Sequence, residues 1–280
     1  MATDQNAKGV RFRELHQRDG AFVIPNPWDV GTARILASMG FEALATTSAG
    51  LAFSLGLPDG AVARKQVVAH CRAIVGATDL PVSADLEKGF GDGPESVAET
   101  IRVAAEVGLA GCSIEDYTGR REEPIFAFDH AVERIAAAVD ACRSLPDDFV
   151  LTARAENFLH GRPDLDDTVR RLQAFEAAGA DVLYAPGLAD LDDIRAVCSA
   201  LRRPVNVLMG MPGATFGIAE LADAGVKRIS VGSAFSRLAL GAVVRAAREI
   251  TDHGTFTFAK DAIGFAKLED IFKEFSRAET

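Results

Sequence analysis

The sequence predicts an α/β fold, a (β/α)8 TIM barrel with an additional C-terminal helical segment. Three observations predict it. Eight short apolar runs of strand length alternate with longer stretches of helical periodicity, a glycine recurs at the close of several of those stretches, and polar or charged residues stand at nearly every strand end. With 280 residues, 48% of them hydrophobic and 25% charged, the chain can bury a large core. Barrels of this kind run to about 250 residues as one domain.

Residues 10–19 read as a helix and 21–25 as a buried strand. The chain then alternates. Helix 31–39 leads to strand 43–47, helix 61–78 to strand 81–86, helix 94–107 to strand 111–115 and helix 129–144 to strand 149–155. Helix 165–178 leads to strand 181–185, helix 191–201 to strand 204–208 and helix 215–224 to strand 228–232, before a long helix from Ala234. Gly40, Gly108, Gly179 and Gly225 each follow a helical stretch, where glycine can take the left-handed position that stops a helix. An open doubly wound sheet is the alternative, but no G-x-G-x-x-G follows any strand. The reading divides the chain into a barrel, 1–254, and a tail, 255–280, with aromatics at Phe256, Phe258, Phe265, Phe272 and Phe275. Phe265, Leu268 and Phe272 recur at helical spacing, so one face of the tail is apolar and packs on its own barrel or on a neighbouring subunit.

A net charge of −10 and a pI near 5.0 argue against a nucleic-acid partner. No apolar run reaches the ~18 residues of a membrane span, and the polar N-terminus lacks a signal-peptide pattern. The four cysteines are scattered without a C-x-x-C pair, which suits a reduced, cytoplasmic protein.

The stretch from Pro81 to Asp92 carries the chemistry. Strand alternation predicts that Asp85 and Glu87 project together, and Gly89 and Gly91 let the backbone turn just beyond them. Adjacent strands lie about 4.8 Å apart, so Glu115 at the end of the next strand can reach the same ion. Three carboxylates with no histidine nearby suit Mg²⁺ or Mn²⁺ rather than Zn²⁺; two solvated acids at a strand end are the plainer alternative for Asp85 and Glu87. Other strand ends offer Asn26, Trp28 and Asp29, then Thr47 to Gly50, Asp116, Arg154, Glu156, Tyr184, Asn206, Ser230 and Ser233. The five histidines fall mostly on helices, which disfavours a histidine-bound metal or a Ser-His-Asp triad. No lysine lies inside a strand, which disfavours a Schiff base. Gly210, Gly213 and Gly232 leave a phosphate site between strands 7 and 8 open. The polar loop 117–126 is either a solvated surface loop or a lid that closes over substrate, with Arg120 or Arg121 neutralising a carboxylate or phosphonate.

Together, Thr47-Ser-Ala-Gly50 with Leu55-Gly-Leu-Pro-Asp59, Asp85-Leu-Glu-Lys-Gly-Phe-Gly91, Ser113-Ile-Glu-Asp116 and Ala153-Arg-Ala-Glu156 resemble the isocitrate lyase/phosphoenolpyruvate mutase superfamily, in order, from about Phe22 to Ser236. The resemblance implies Mg²⁺ and a small 2-oxo acid bound through its carboxylate and carbonyl, with a C–C or P–C bond made or broken beside it through an enolate. It implies that Asp85, Glu87 and Glu115 hold the metal and that Ser48, Ala49 and Gly50 cradle the keto acid. It implies that Arg154 and Asn206 contact substrate and that Asp59 is the acid after the strand 2 loop; with Tyr184 from its strand end as a further substrate contact and Arg120 from the loop, the expected catalytic set is Arg154, Asp59 and Arg120. It also implies a homo-oligomer, a dimer or a tetramer that exchanges C-terminal helices. Two departures stand out. The loop has neither the Lys-Lys-Cys-Gly-His segment of the isocitrate and methylisocitrate lyases nor the lysine and asparagine of the mutases, and Glu87 stands where many members have aspartate. The expected function is a lyase-like reaction such as oxaloacetate decarboxylation. A non-catalytic protein that binds a 2-oxo acid and metal on the same barrel is the contrasting expectation.

Overall fold

The computed structural model describes residues 5–276. Eight parallel strands form the barrel wall: β1 (Phe22–Ile24), β2 (Leu44–Ala45), β3 (Val82–Asp85), β4 (Gly111–Glu115), β5 (Val150–Arg154), β6 (Val182–Tyr184), β7 (Val205–Leu208) and β8 (Arg228–Ser230). The ladder runs from β1 to β8 and round through β7, β6, β5, β4 and β3 to β2. The β1–β2 seam is bridged at the mouth, where Ala45 N–H donates to Pro25 O at 3.1 Å and Asn26 Nδ2 donates to Thr46 O at 3.1 Å. Asn26 Oδ1 also accepts from Val231 N–H and Gly232 N–H, so one side chain ties β1 to both neighbours.

The helices are α1 (Gln5–Gln17), α2 (Val30–Ser38), α3 (Ser48–Ser54), α4 (Arg64–Gly76), α5 (Pro94–Ala105), α6 (Phe128–Arg143), α7 (Leu165–Ala178), α8 (Leu191–Ser199), α9 (Ile218–Asp223), α10 (Ala234–His253) and α11 (Phe265–Ser276). Their starts follow capping chemistry. Asp29 and Thr32 form a reciprocal box on α2, Asp164 caps α7, and Asp190 caps α8 ahead of Asp192 and Asp193 in its first turn. The four recurrent glycines all adopt positive φ, from 85° at Gly40 to 108° at Gly179, a region that other residues enter only with strain. The expected alternation is therefore present, with most strands trimmed at one or both ends.

One element differs in kind. Between strand 43–47 and helix 61–78, where the sequence predicts no further element, the chain forms α3; Thr47 Oγ1 accepts from Gly50 N–H at 3.3 Å and caps it. Seven residues are too few to display helical periodicity, so the cap is the one local signal.

Outward-facing strand residues such as Leu44, Val82, Ile114, Leu151, Leu183, Val207 and Ile229 pack with the helices in one large apolar cluster. At the N-terminal end α1 plugs the barrel, with Phe12 and Leu15 against Phe22, Ile24, Val150 and Val182. The Arg13 guanidinium fixes the plug by a fork onto Asp148 (2.7 and 2.8 Å) and a bond to Asp181 (2.7 Å). Between plug and mouth the inward positions are unusually polar. Residues two apart on a strand share a face, so Ser83, Ser113 and Thr152 lie beneath Asp85, Glu115 and Arg154, and Arg228 lies beneath Ser230. Barrel interiors of this type are usually filled by branched apolar side chains. Here a cavity of about 330 Å³ takes their place, lined among others by Ser83, Ser113, Tyr184, Asn206, Arg228 and Ser230.

Two C-terminal helices lie outside that scheme. Within α10, Ser236 is the buried residue among those described, while Leu238, Val243 and Val244 are 65%, 65% and 50% exposed. The tail helix α11 turns back onto α2 of its own chain, with Leu268, Ile271, Phe272 and Phe275 half-buried and the Arg34 guanidinium 5.7 Å from the Phe275 ring centroid. Phe265, expected on the packed face, is 81% exposed. Among the described residues no helix is long and apolar enough to cross a membrane.

Candidate active site

The C-terminal mouth is organised around Arg154, the last residue of β5. Its Nη1 donates to Asp85 Oδ1 at 2.9 Å and lies 3.2 Å from Glu115 Oε2, while Nε donates to Glu156 Oε1 at 2.7 Å. The guanidinium also sits 5.1 Å from the Tyr184 ring centroid. Three carboxylates thus share one buried cation, held by strand ends rather than by flexible loops. Burial alone would drive Glu115 toward its neutral form, and its pKa is raised well above the ordinary value despite the opposing pull of Arg154.

Asp85 has both oxygens engaged. Oδ1 takes Arg154 and the Glu87 N–H (3.3 Å), and Oδ2 accepts from the Ser48 N–H (3.3 Å), which docks the start of α3 against β3. The expected strand alternation fails at Glu87. The strand ends at Asp85, and Glu87 sits in a turn at φ 50°, a left-handed conformation costly for a residue with a side chain. Phe90 follows at φ 60°. This strained loop is held from below by Arg134 of α6, which donates to the carbonyls of Lys88, Gly91 and Asp92 while lying 4.3 Å from the Phe126 ring centroid. The turn nevertheless returns the Glu87 carboxyl to the acidic group. Desolvation first, then the charges of Asp85 and Asp59, push its pKa up to about 7. Asp59, exposed at the rim yet lining the cavity, is raised by desolvation and by Asp85.

The other expected residues divide. Ser48, Ala49, Asp59, Asp85, Arg154, Tyr184 and Asn206 line the cavity. Gly50 packs behind them: a Cβ there would meet Thr47 Cγ2 at 2.5 Å and Trp28 Cβ at 3.0 Å, so glycine serves close packing at this position. Arg120 is not brought to the cavity. Its Nη1 pairs with Asp92 Oδ2 at 2.8 Å on the outer side of the loop, whose ends are pinned by a Tyr117–Ile125 bridge. Tyr117 stacks on His160 with centroids 3.6 Å apart, and His160 in turn lies 3.5 Å from the buried Glu156. Sequence reasoning missed Phe53, Leu159, Met211, Arg228 and Arg237 in the lining. For Arg228 a signal was present, an arginine at the first position of a buried barrel strand.

Fold and mouth together define a barrel enzyme for small organic acids. A family model described as phosphoenolpyruvate phosphomutase matches residues 12–251, and the chain belongs to that family, within the isocitrate lyase/phosphoenolpyruvate mutase superfamily of lyases and mutases. A crystal structure of a Burkholderia cenocepacia protein assigned as a lyase/mutase is 59% identical and superposes with a TM-score of 0.94 over 96% of each chain. A 2-methylisocitrate lyase of Shewanella oneidensis is 32% identical over 79% of this chain and 77% of its own length. An oxaloacetate decarboxylase of Paraburkholderia xenovorans is 31% identical over 83% and 79%.

Members of the superfamily generally depend on a divalent metal. The oxygen donors here fit a hard cation, because desolvation first and then the charge of Asp85 raise the pKa of both Glu87 and Asp59, so a cation beside them would offset crowded and poorly solvated negative charge. Among the described residues, however, no three such side chains stand close enough to hold an ion by themselves. The form that fits is a hydrated ion bound directly by few carboxylates, which is how Mg²⁺ is commonly held.

Proposed function

We propose that this protein is a Mg²⁺-dependent lyase that cleaves, or forms, a C–C bond beside a small 2-oxo acid, with oxaloacetate decarboxylation as one form of the reaction and P–C chemistry the less favoured form. The observation that carries this reading is the mouth, where Arg154 gathers Asp85, Glu115 and Glu156 above an interior cavity. The oxaloacetate decarboxylase and 2-methylisocitrate lyase among its relatives support the carbon–carbon form.

In this reading Asp85 binds the ion directly and Glu87 and Glu115 act through water; Mn²⁺ suits the same donors. When bound, the ion offsets negative charge developing on the substrate's 2-oxo oxygen. Ser48 and Ala49 hold the keto-acid end against Asp85, and Tyr184 and Arg154 form the adjoining wall. As the C3–C4 bond of oxaloacetate breaks, CO₂ leaves and the electron pair remains on C3. The Asp59 carboxyl, whose pKa is raised at the rim, supplies the proton that C3 then takes. The barrel, 1–254, carries this chemistry. The exposed apolar face of α10 and the tail, 255–280, form the interface of a homo-oligomer.

The loop supports a second reading. It carries no cysteine, lysine or histidine and its Arg120 is paired away from the cavity, which suits a protein that binds a 2-oxo acid and metal without turnover. Proton NMR of pyruvate in D₂O separates the two. Loss of the C3 methyl signal that needs both protein and Mg²⁺, stops with EDTA and is absent in Asp85→Ala supports the lyase. Calorimetric binding with neither exchange nor oxaloacetate turnover supports the binding protein. An Asp85→Ala protein that stays active and Mg²⁺-dependent removes the site assignment.

A further inference from the structure

Arg228 opens β8 and lines, from below, the cavity that Ser48 and Asp85 line at its mouth. It is 5% exposed, and the groups that bond it are neutral. Nε donates to Asn206 Oδ1 at 2.9 Å, and Nη1 lies 3.4 Å from His16 Nε2. His16 Nδ1 is 2.8 Å from Phe12 O, which can only accept, so Nδ1 carries the ring proton and Nε2 presents its lone pair to the arginine. No aspartate or glutamate pairs with Arg228 among the described residues, and no protein acceptor is bonded to Nη2. Among the other buried arginines, Arg154 has three carboxylates and Arg171 has Asp116 and Asp167, while Arg134 has no carboxylate but gives its two Nη groups to the carbonyls of Lys88, Gly91 and Asp92. A buried charge is normally paired, because desolvating it alone is expensive.

The register places this cation on the same wall as the mouth. Arg154, Tyr184, Asn206 and Arg228 are direct partners across β5, β6, β7 and β8. One wall therefore carries two guanidiniums, the upper one neutralised by protein and the lower one not. Asn206 orients the lower one, with Oδ1 on Arg228 Nε and Nδ2 donating to Ser230 Oγ at 3.0 Å.

We propose that Arg228 is a carboxylate subsite at the base of the cavity, taking the distal carboxylate of a dicarboxylic 2-oxo acid whose keto-acid end sits at Ser48 and Asp85. The inference rests on the reading of the mouth as a 2-oxo acid site and narrows it to diacids. The unbonded Nη2, beside the second hydrogen of Nη1, can donate to a carboxylate, and the water-poor surroundings strengthen the pair. A monoacid such as pyruvate leaves Arg228 without its counter-charge and binds less tightly. If Arg228 serves only to tie β8 to α1, its replacement changes stability and leaves ligand preference untouched.

The test compares the full-length protein with Arg228→Met and Arg228→Lys, by calorimetry with Mg²⁺ and either 3,3-difluorooxaloacetate or pyruvate. The expected result is a wild-type preference for the diacid of roughly 30-fold or more that collapses in Arg228→Met, with pyruvate affinity within about threefold of wild type. A folded Arg228→Met protein that keeps the preference overturns the proposal. Should that variant not fold, Arg228→Lys retains the charge without the fork, and an unchanged preference there overturns it equally. If the wild type binds neither 2-oxo acid, the reading of the mouth fails on its own, and thermal unfolding in EDTA with malonate decides the subsite. Stabilisation of wild type but not of Arg228→Lys supports it, and equal response of both proteins overturns it.

Discussion

Replacing Arg154 by methionine tests whether the mouth is held together by one shared cation. The variant keeps a long apolar stem but leaves Asp85, Glu115 and Glu156 facing one another, with side chains only 17%, 10% and 1% exposed. Removing one partner from a buried ion pair costs about 3–5 kcal/mol, because the remaining charge stays desolvated. For a chain of this length that corresponds to a fall in Tm on the order of 10 °C. The loss should depend on pH, and the sign follows from Glu115. Its folded pKa already lies above the ordinary value through burial, and without Arg154 it rises further. A carboxyl whose folded pKa exceeds its unfolded value binds protons preferentially in the folded state, so the variant regains stability as pH falls through that raised pKa. Differential scanning calorimetry of both proteins at pH 8 and pH 5.5 gives the result. The deficit should be smaller at pH 5.5 than at pH 8. A deficit below about 1 kcal/mol at pH 8, or one that does not change with pH, would refute the shared-cation account.

Two further outcomes are expected. Burial, reinforced by Arg228, pushes His16 down to about 3, below its ordinary 6.5, so the unfolded state takes up a proton that the folded state refuses. Below about pH 6.5 this removes up to ~1.4 kcal/mol of stability per pH unit, and His16→Gln should show a correspondingly shallower acid loss in denaturant titrations at pH 7.5 and 5; equal slopes would contradict it. Val243→Glu, on the exposed apolar face of α10, should shift an oligomer toward lower mass in analytical ultracentrifugation, and a wild type that is monomeric at micromolar concentration would remove the proposed interface.

The barrel was legible because its alternation repeats: α7 and β4 begin and end where periodicity and apolar runs place them, and α10 starts at Ala234 as expected. Two kinds of feature escaped. Alternation within a strand says nothing once the strand stops, so Glu87 reaches the acidic group through a strained turn rather than by pleat. A charged loop residue such as Arg120 carries no sequence record of its partner, and Asp92, not the cavity, receives it. Arg228 was hidden for the opposite reason. Barrel chemistry is expected at the C-terminal strand ends, whereas this arginine stands at the first position of β8 and lines the cavity beneath Ser230.

The β1–β2 seam has a dynamic consequence. The eight strands close through Ala45 N–H to Pro25 O and the Asn26 side chain rather than through a regular ladder, and β2 is itself two residues long. Segments with few backbone bonds open locally at free energies well below that of global unfolding. Thr47 and Ser48 follow β2 directly, and the Ser48 N–H is bonded to Asp85. Local opening at the seam would therefore act on the Ser48 side of the mouth, whereas β4 through β7 are joined by continuous ladders. The place where the barrel is most weakly stitched thus adjoins the cavity wall that Thr47, Ser48 and Ala49 line.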